Sequence, residues 1–347
     1  KLGDAWVKKE NYVGNGAYKL ANHIINEKIE FERNPLYWND KETVINSATF
    51  LAIENPSTDV ARYRAGDLDM TSYALPPEQF AKLQKELPGE VFTTRTLATY
   101  SYELNNKKAP FDNVNVRKAL NLSLDRNVIT DKVLGQGQTP TYVFTPTYIE
   151  EGHLIQQPAY SKEPMAQRNE EAIKLLEEAG YSKANPLKFS ILYNTNENHK
   201  KVAIAAASMW KANTKGLIDV KLENQEWKTY IDSRRAGRYD AARAGWNADY
   251  NQATTFGNYF LSNSSNNTAK YANPEYDKAI AESYVATDAE GRAKAYAKAE
   301  EILAKDFGIV PIFNYVNPRL VKPYVKGYSG KDPQDHIYLR NLYIIKH

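Results

Sequence analysis

Apolar and polar positions change rhythm several times along this chain, and each rhythm predicts a different element. In Lys28-Ile29-Glu30-Phe31-Glu32 the apolar side chains recur every second residue, the period of a half-buried strand. Residues 58–66 predict a short helix closed by Gly66. Leu68-Asp69-Met70 predicts a strand, and Pro77 opens a further helix with proline in its first turn. From residue 169 the pattern is denser. Asn169-Glu170-Glu171-Ala172 begins a helix with acidic side chains near its positive end. Ala172, Leu175, Leu176 and Ala179 lie on one stripe of it, and Gly180 stops it. Strand 187–193, helix 198–213, strand 217–223, helix 227–236 and strand 239–245 then alternate. That alternation predicts βαβ crossovers, a largely parallel sheet and an α/β fold. Residues 261–267 read as a polar loop, followed by helices over 275–286 and 288–305. Val310-Pro311-Ile312-Phe313 and Leu320-Val321-Lys322-Pro323 read as separate strand-like pieces with edge prolines.

Composition narrows the function. The 347 residues suggest two domains, and 42% hydrophobic with 25% charged residues is ordinary for a globular chain. Lys+Arg 45 against Asp+Glu 42 leaves a net charge of +3, too small for a partner read through its phosphates, so no nucleic acid is expected. No apolar run approaches the ~18 residues of a membrane helix. Cysteine is absent, which excludes disulfides, thiolate metal sites and thiol nucleophiles. The five histidines lack metal-ligand spacing, Gly135-Gln136-Gly137 lacks the Lys-Ser/Thr of a phosphate loop, and there is no G-x-S-x-G elbow. Neither a metal nor a cofactor is expected. The 25 tyrosines and 5 tryptophans suit a ligand wall with apolar faces and wet tips, and equally suit ordinary cores.

In parallel sheets, ligands bind beyond the carboxyl ends of the strands. The first predicted strand of the alternating region is followed by Asn194 and His199, and the second by Gln225, Glu226 and Trp227. The third holds Arg243 and runs into Gly245-Trp246-Asn247-Ala248-Asp249-Tyr250. Neighbouring strands would bring a cation, an imidazole, carboxylates and indoles to one rim, an assortment suited to a zwitterion. Each residue also has a plain reading. Arg243 reads as a solvated edge-strand side chain, Asp249 as a turn former or helix N-cap, and His199 as a helix start. Trp227 and Trp246 read as core. Glu226 and Asp249 also read as the carboxylate pair of a hydrolase. A carbohydrate-active or peptide hydrolase with Trp platforms is therefore the competing function.

Several further motifs occur in a fixed order. They are Gly14-Asn15-Gly16-Ala17-Tyr18, Glu32-Arg33-Asn34-Pro35-Leu36-Tyr37-Trp38, Arg64-Ala65-Gly66-Asp67-Leu68-Asp69, and the run from Asn105 through Pro110-Phe111-Asp112 and Arg117-Lys118-Ala119-Leu120 to Leu124-Asp125-Arg126. Together with Tyr239-Asp240-Ala241-Ala242-Arg243-Ala244-Gly245-Trp246-Asn247-Ala248-Asp249-Tyr250, they resemble the extracytoplasmic peptide-binding proteins of ABC importers, the oligopeptide/dipeptide/nickel superfamily, in its oligopeptide branch.

That resemblance implies a periplasmic-binding-protein-like, two-lobe α/β architecture of the type II peptide-binding cluster. Residues 1–97 would be part of lobe one, 98–316 lobe two with the ligand sheet, and 317–347 a return to lobe one. It implies a non-enzymatic periplasmic protein that captures short peptides and delivers them to an inner-membrane permease. Asp249 would take the peptide ammonium, and Arg243 with His199 the carboxylate of short peptides. Gly245 and Asn247 would pair with the peptide backbone. Trp246, Trp227, Asn194, Arg234 and Tyr315 would line side-chain pockets. Some relatives carry a Cys pair where this chain has Ala98 and Asn247. Relatives also carry a long stretch ahead of the position of Lys1, so the amino-terminal part of lobe one is expected to be missing, and that part is itself an expected partner.

Overall fold

The computed structural model describes residues 3–347 apart from Tyr73. Lys1 and Leu2, which open the first expected segment, and Tyr73 within it lie outside the described residues. The chain divides into two compact units, the first holding the residues up to Thr94 with Asn317–His347, the second Arg95–Val316.

In the first unit, β1 (Tyr18–Ile24), β2 (Lys28–Arg33) and β3 (Ser47–Leu51) form an antiparallel sheet in that order. Helix α1 (Pro56–Ala65) starts two residues before the sequence signal because Asn55 caps it, accepting from Ser57 N at 2.8 Å. Gly66 ends it at φ 88°, a left-handed position that glycine adopts without strain. Val60 and Tyr63 of α1 pack with Leu75 and with Phe80 and Leu83 of α2 (Pro77–Glu86). The strand expected at 68–70 is reduced to one isolated bridge, Met70 to Val321. Two residues on, Ser72 turns its N–H and hydroxyl to the Asp59 carboxylate at 2.8 and 2.7 Å, which ends any ladder.

The second unit is built on a six-stranded sheet, two of whose strands begin before Arg95 or end after Val316. Its strands are β4 (Val91–Leu104), β5 (Thr139–Pro140), β6 (Leu187–Asn194), β7 (Ile218–Gln225), β8 (Ala241–Asn247) and β9 (Ile309–Leu320), in the order β5-β9-β4-β8-β6-β7. The expectation of a largely parallel sheet needs correction. Among the pairings described, β6–β7 and β6–β8 are parallel, while β4–β8 and β5–β9 are antiparallel. The alternating region supplies three strands through two crossover helices, α5 (Glu197–Asn213) and α6 (Trp227–Arg235). β4 and β9 join from distant sequence without a crossover.

Helix α3 (Val114–Leu122) packs beside α4 (Met165–Glu178). α4 begins four residues before the expected start, because Pro164 presents the extended backbone that precedes a first turn. Its apolar stripe is buried as expected at Ala172 and Leu176. The two pieces expected at 310–313 and 320–323 are largely one twelve-residue strand, β9. Pro311 lies outside the short pairing with β5, which covers Asn314 and Phe313. The Pro311 carbonyl instead accepts from buried Arg126 Nε at 2.7 Å. Trp210 of α5 is fully buried and donates its indole N–H to the Leu120 carbonyl at 2.9 Å. A four-residue helix α7 (Thr254–Gly257) follows β8, and α8 (Pro274–Val285) packs on α9 (Ala289–Lys305), which Asp288 caps. No described helix is long and apolar enough to cross a membrane.

Candidate functional site

All ten residues singled out from sequence lie in the second unit, most of them near the carboxyl ends of its parallel strands. β6 ends at Asn194 and β7 at Gln225, and these two are register partners. Asn194 Oδ1 and Gln225 Oε1 are both buried without a hydrogen-bond partner. An unpaired buried acceptor is costly, so it marks a place where a donor is expected. Just beyond β6, Asn196 caps α5 by accepting from Asn198 N and His199 N at 2.9 and 3.1 Å. This fixes half-buried His199 in the first helical turn, with its ring 5.6 Å from that of Tyr100. Burial first, and the nearby Arg243 charge second, push the imidazole well below its ordinary 6.5. Beyond β7, Glu226 caps α6, accepting from Lys228 N at 2.9 Å. Trp227, 53% exposed, stacks on Tyr230 at 5.8 Å.

Arg243 sits in β8, an inner strand between β4 and β6, so the edge-strand reading does not hold. Its guanidinium lies 5.1 Å from the Tyr100 ring centre and donates through Nη2 to the Tyr315 hydroxyl. The Tyr230 hydroxyl donates to the Arg243 carbonyl. Nε is buried with no partner, and among the described residues no carboxylate lies within ion-pair distance. Burial works against the charge, but the oxygens of Tyr315, Tyr230 and Tyr100 outweigh it and raise the pKa.

Gly245 follows on the same face of β8, since side chains alternate. A Cβ there would stand 3.0 Å from both Arg243 Nη2 and the Tyr315 hydroxyl, so glycine makes room for their contact. The backbone of β8 is paired along its length on the β4 side, with Tyr100 opposite Gly245 and Ala98 opposite Asn247. On the β6 side the pairing runs only through Ala241 and Ala242. β6 itself ends at Asn194, so Gly245 and exposed Asn247 lie on an edge beyond its last residue.

Asp249 is exposed, just past β8, and caps no helix. Thr255 Oγ1 organises this loop. It donates to the Asp249 carboxylate at 3.1 Å and accepts from Asp249 N and from Trp246 Nε1, both at 3.2 Å. Trp246 is half-buried, edge-on to Tyr259 at 4.8 Å. Asp249 and Arg243 are not bonded to each other; each keeps its own partners.

Arg234 behaves otherwise. Its side chain, 11% exposed, bonds to Glu103, which is fully buried, at 2.9 Å. It also donates to the Tyr259 and Thr268 hydroxyls, each at 3.1 Å. Sequence reading did not foresee this commitment, nor did it find Glu103, Tyr259, Tyr100 or Tyr230. One signal was available for Glu103. A carboxylate in the apolar run 97–104 requires a buried cation partner. Among the described residues, no group of three or more His, Cys, Asp or Glu side chains is placed to hold a metal ion.

The partly unpaired edge of β8 and the arginine without a counter-charge lie near the carboxyl ends of the parallel strands, where α/β sheets place their ligands. The chain belongs to the bacterial extracellular solute-binding proteins, family 5, whose "Middle" region matches residues 1–268. It is 97% identical over all 347 residues to the periplasmic oligopeptide-binding protein OppA of Haemophilus influenzae, of which it spans 64%. It is 43% identical to the periplasmic murein peptide-binding protein MppA of Escherichia coli, over 99% of this chain and 64% of that one. A crystal structure of Haemophilus influenzae OppA in complex with the peptide RPPGFSPFR superposes at a TM-score of 0.96, with 96% identity over 99% of this chain and 67% of that one. The chain thus spans less than two thirds of the length of these curated relatives.

Proposed function

We propose that this chain binds short peptides in the periplasm for delivery to an inner-membrane ABC permease, and makes or breaks no bond. The observation that carries the reading is Arg243, a half-buried arginine whose Nε is withdrawn from water and which has no carboxylate partner among the described residues. A charge kept out of water without a counter-ion is costly unless a ligand supplies the anion. In this reading the peptide carboxylate goes to Arg243, with His199 beside it, and the peptide ammonium goes to Asp249. The peptide backbone adds as a strand to the bare edge of β8 at Gly245 and Asn247, a mode of recognition blind to side-chain identity. A tripeptide spans about 7–10 Å at ~3.3 Å per residue, so two end charges set its register. Trp246, Trp227, Asn194 and Tyr315 wall the side-chain spaces, and Arg234 contributes a wall of fixed charge held by Glu103.

The two relatives with peptide-binding names and the peptide-bound neighbour support this reading. The competing hydrolase reading loses its carboxylate pair, because Glu226 is engaged as a helix cap. Titrating the 347-residue chain calorimetrically with tri-alanine, followed by chromatography of the peptide, tests the proposal. Saturable one-to-one binding with the peptide recovered intact is expected. Cleavage of the peptide, or no saturation up to about millimolar peptide, a free energy near −4 kcal/mol, contradicts it.

A further inference from the structure

Three tyrosines surround Arg243, each from a different element and each in a different way. Tyr100 of β4 places its ring face under the guanidinium at 5.1 Å. Tyr315 of β9 offers its phenol oxygen to Nη2. Tyr230 of α6 holds the strand itself, donating to the Arg243 carbonyl. The rings are also packed on one another. Tyr100 lies 5.8 Å from Tyr315, and Phe313 bridges them at 4.7 and 5.2 Å. Tyr100 and Tyr230 are almost fully buried, so neither ring can swing away cheaply.

The choice of phenol over carboxylate matters. A carboxylate in the same place would satisfy the guanidinium and cancel its charge, as Glu103 does for Arg234. An incoming anion would then have to displace an internal one. A phenol and a ring face hold the guanidinium through dipole and quadrupole and leave its full charge for a ligand.

We propose that Tyr100, Tyr230 and Tyr315 are positioning residues that cradle Arg243 without neutralising it, and thereby set the selectivity of this site for ligands ending in a full negative charge. This rests on the reading of Arg243 as the carboxylate site and names what makes it selective. Burial raises the phenol pKa of Tyr100 well above 10.0 and that of Tyr230 as well, so both stay neutral dipoles at physiological pH. Nε of Arg243 has no protein partner, and the missing side chain at Gly245 leaves Nη2 and the Tyr315 hydroxyl uncrowded, so a ligand anion is expected to meet the guanidinium on this face.

The test is the ratio of affinities for tri-alanine and its carboxamide, measured by calorimetry on the 347-residue chain. Wild type should favour the free carboxylate by about tenfold or more, the scale of one charge-assisted hydrogen bond. Tyr315→Glu supplies an internal anion and should bring the ratio to about one, whatever it does to affinity for the carboxamide. An unchanged urea-denaturation midpoint shows that the variant is folded. Tyr230→Phe keeps the ring but frees the strand carbonyl, and should lower the ratio about threefold. If either variant keeps the wild-type ratio, the cradle is refuted while the carboxylate site stands. If wild type itself shows no preference, the reading of Arg243 fails, and the cradle fails with it.

Discussion

Arg234 and Arg243 lie nine residues apart, both largely withdrawn from water and both beside tyrosines, yet they are opposites. Arg234 is answered by Glu103, Tyr259 and Thr268, a closed network in which every member bonds another. Arg243 is answered only by phenols and a ring face; Nε is buried without a partner in both arginines, so the carboxylate at Glu103 is what tells them apart. The first arrangement fixes structure. The second, in the proposed function, leaves part of its interaction energy for the ligand's anion. Burial alone therefore does not separate a structural cation from a binding one. What separates them is whether the protein supplies the counter-charge.

Substitutions should split the two regions cleanly. The largest effect is expected for Glu103→Gln, which leaves Arg234 buried and unpaired; urea denaturation should show a loss of about 3–5 kcal/mol. Arg243→Met should do the reverse. It removes a charge that nothing balances, so stability should hold or rise, while calorimetry should show tri-alanine binding weakened by about 2–5 kcal/mol. A destabilisation by Arg243→Met as large as that by Glu103→Gln would erase the distinction. Asp249→Asn comes next, with a loss of about 1 kcal/mol for peptides with a free amine and little for N-acetylated ones, because this carboxylate is exposed and screened. Gly245→Ala should crowd Arg243 Nη2 and the Tyr315 hydroxyl, weakening carboxylate-ended peptides by several-fold while the melting temperature stays.

The smallest effect concerns pH. His199 has a folded pKa well below the 6.5 of the free imidazole, so as pH falls below about 6.5 the unfolded chain takes up a proton that the folded chain refuses. Stability should drop over that window, and His199→Gln should flatten the drop in denaturant midpoints measured between pH 7 and pH 5.

Much of the scaffold was legible because local periodicity reports local structure. The strands and helices from 187 to 247 fall within about two residues of the alternation, and Asn194, His199, Arg243 and Asp249 fall where strand ends were read. Sheet order was not legible. The antiparallel entry of β4 and β9 depends on contacts between segments far apart in sequence, which no local rhythm records. The same limit explains why the two arginines looked alike. The partner that makes Arg234 structural lies 131 residues away, and the free edge at Gly245 depends on how far β6 accompanies β8. The isolated bridge at Met70 shows a further limit, since a carboxylate at Asp59 redirected a segment whose own pattern was strand-like.

The central claim is that Arg243 carries a charge reserved for the ligand's anionic end. A double-mutant cycle tests it most directly, comparing tri-alanine and its carboxamide on wild type and on Arg243→Met by calorimetry. The account predicts a coupling energy of at least about 1.5 kcal/mol, with the carboxamide nearly indifferent to the substitution. Equal losses for the two ligands, a coupling near zero, would show that Arg243 supports the fold of the site and never meets the charge.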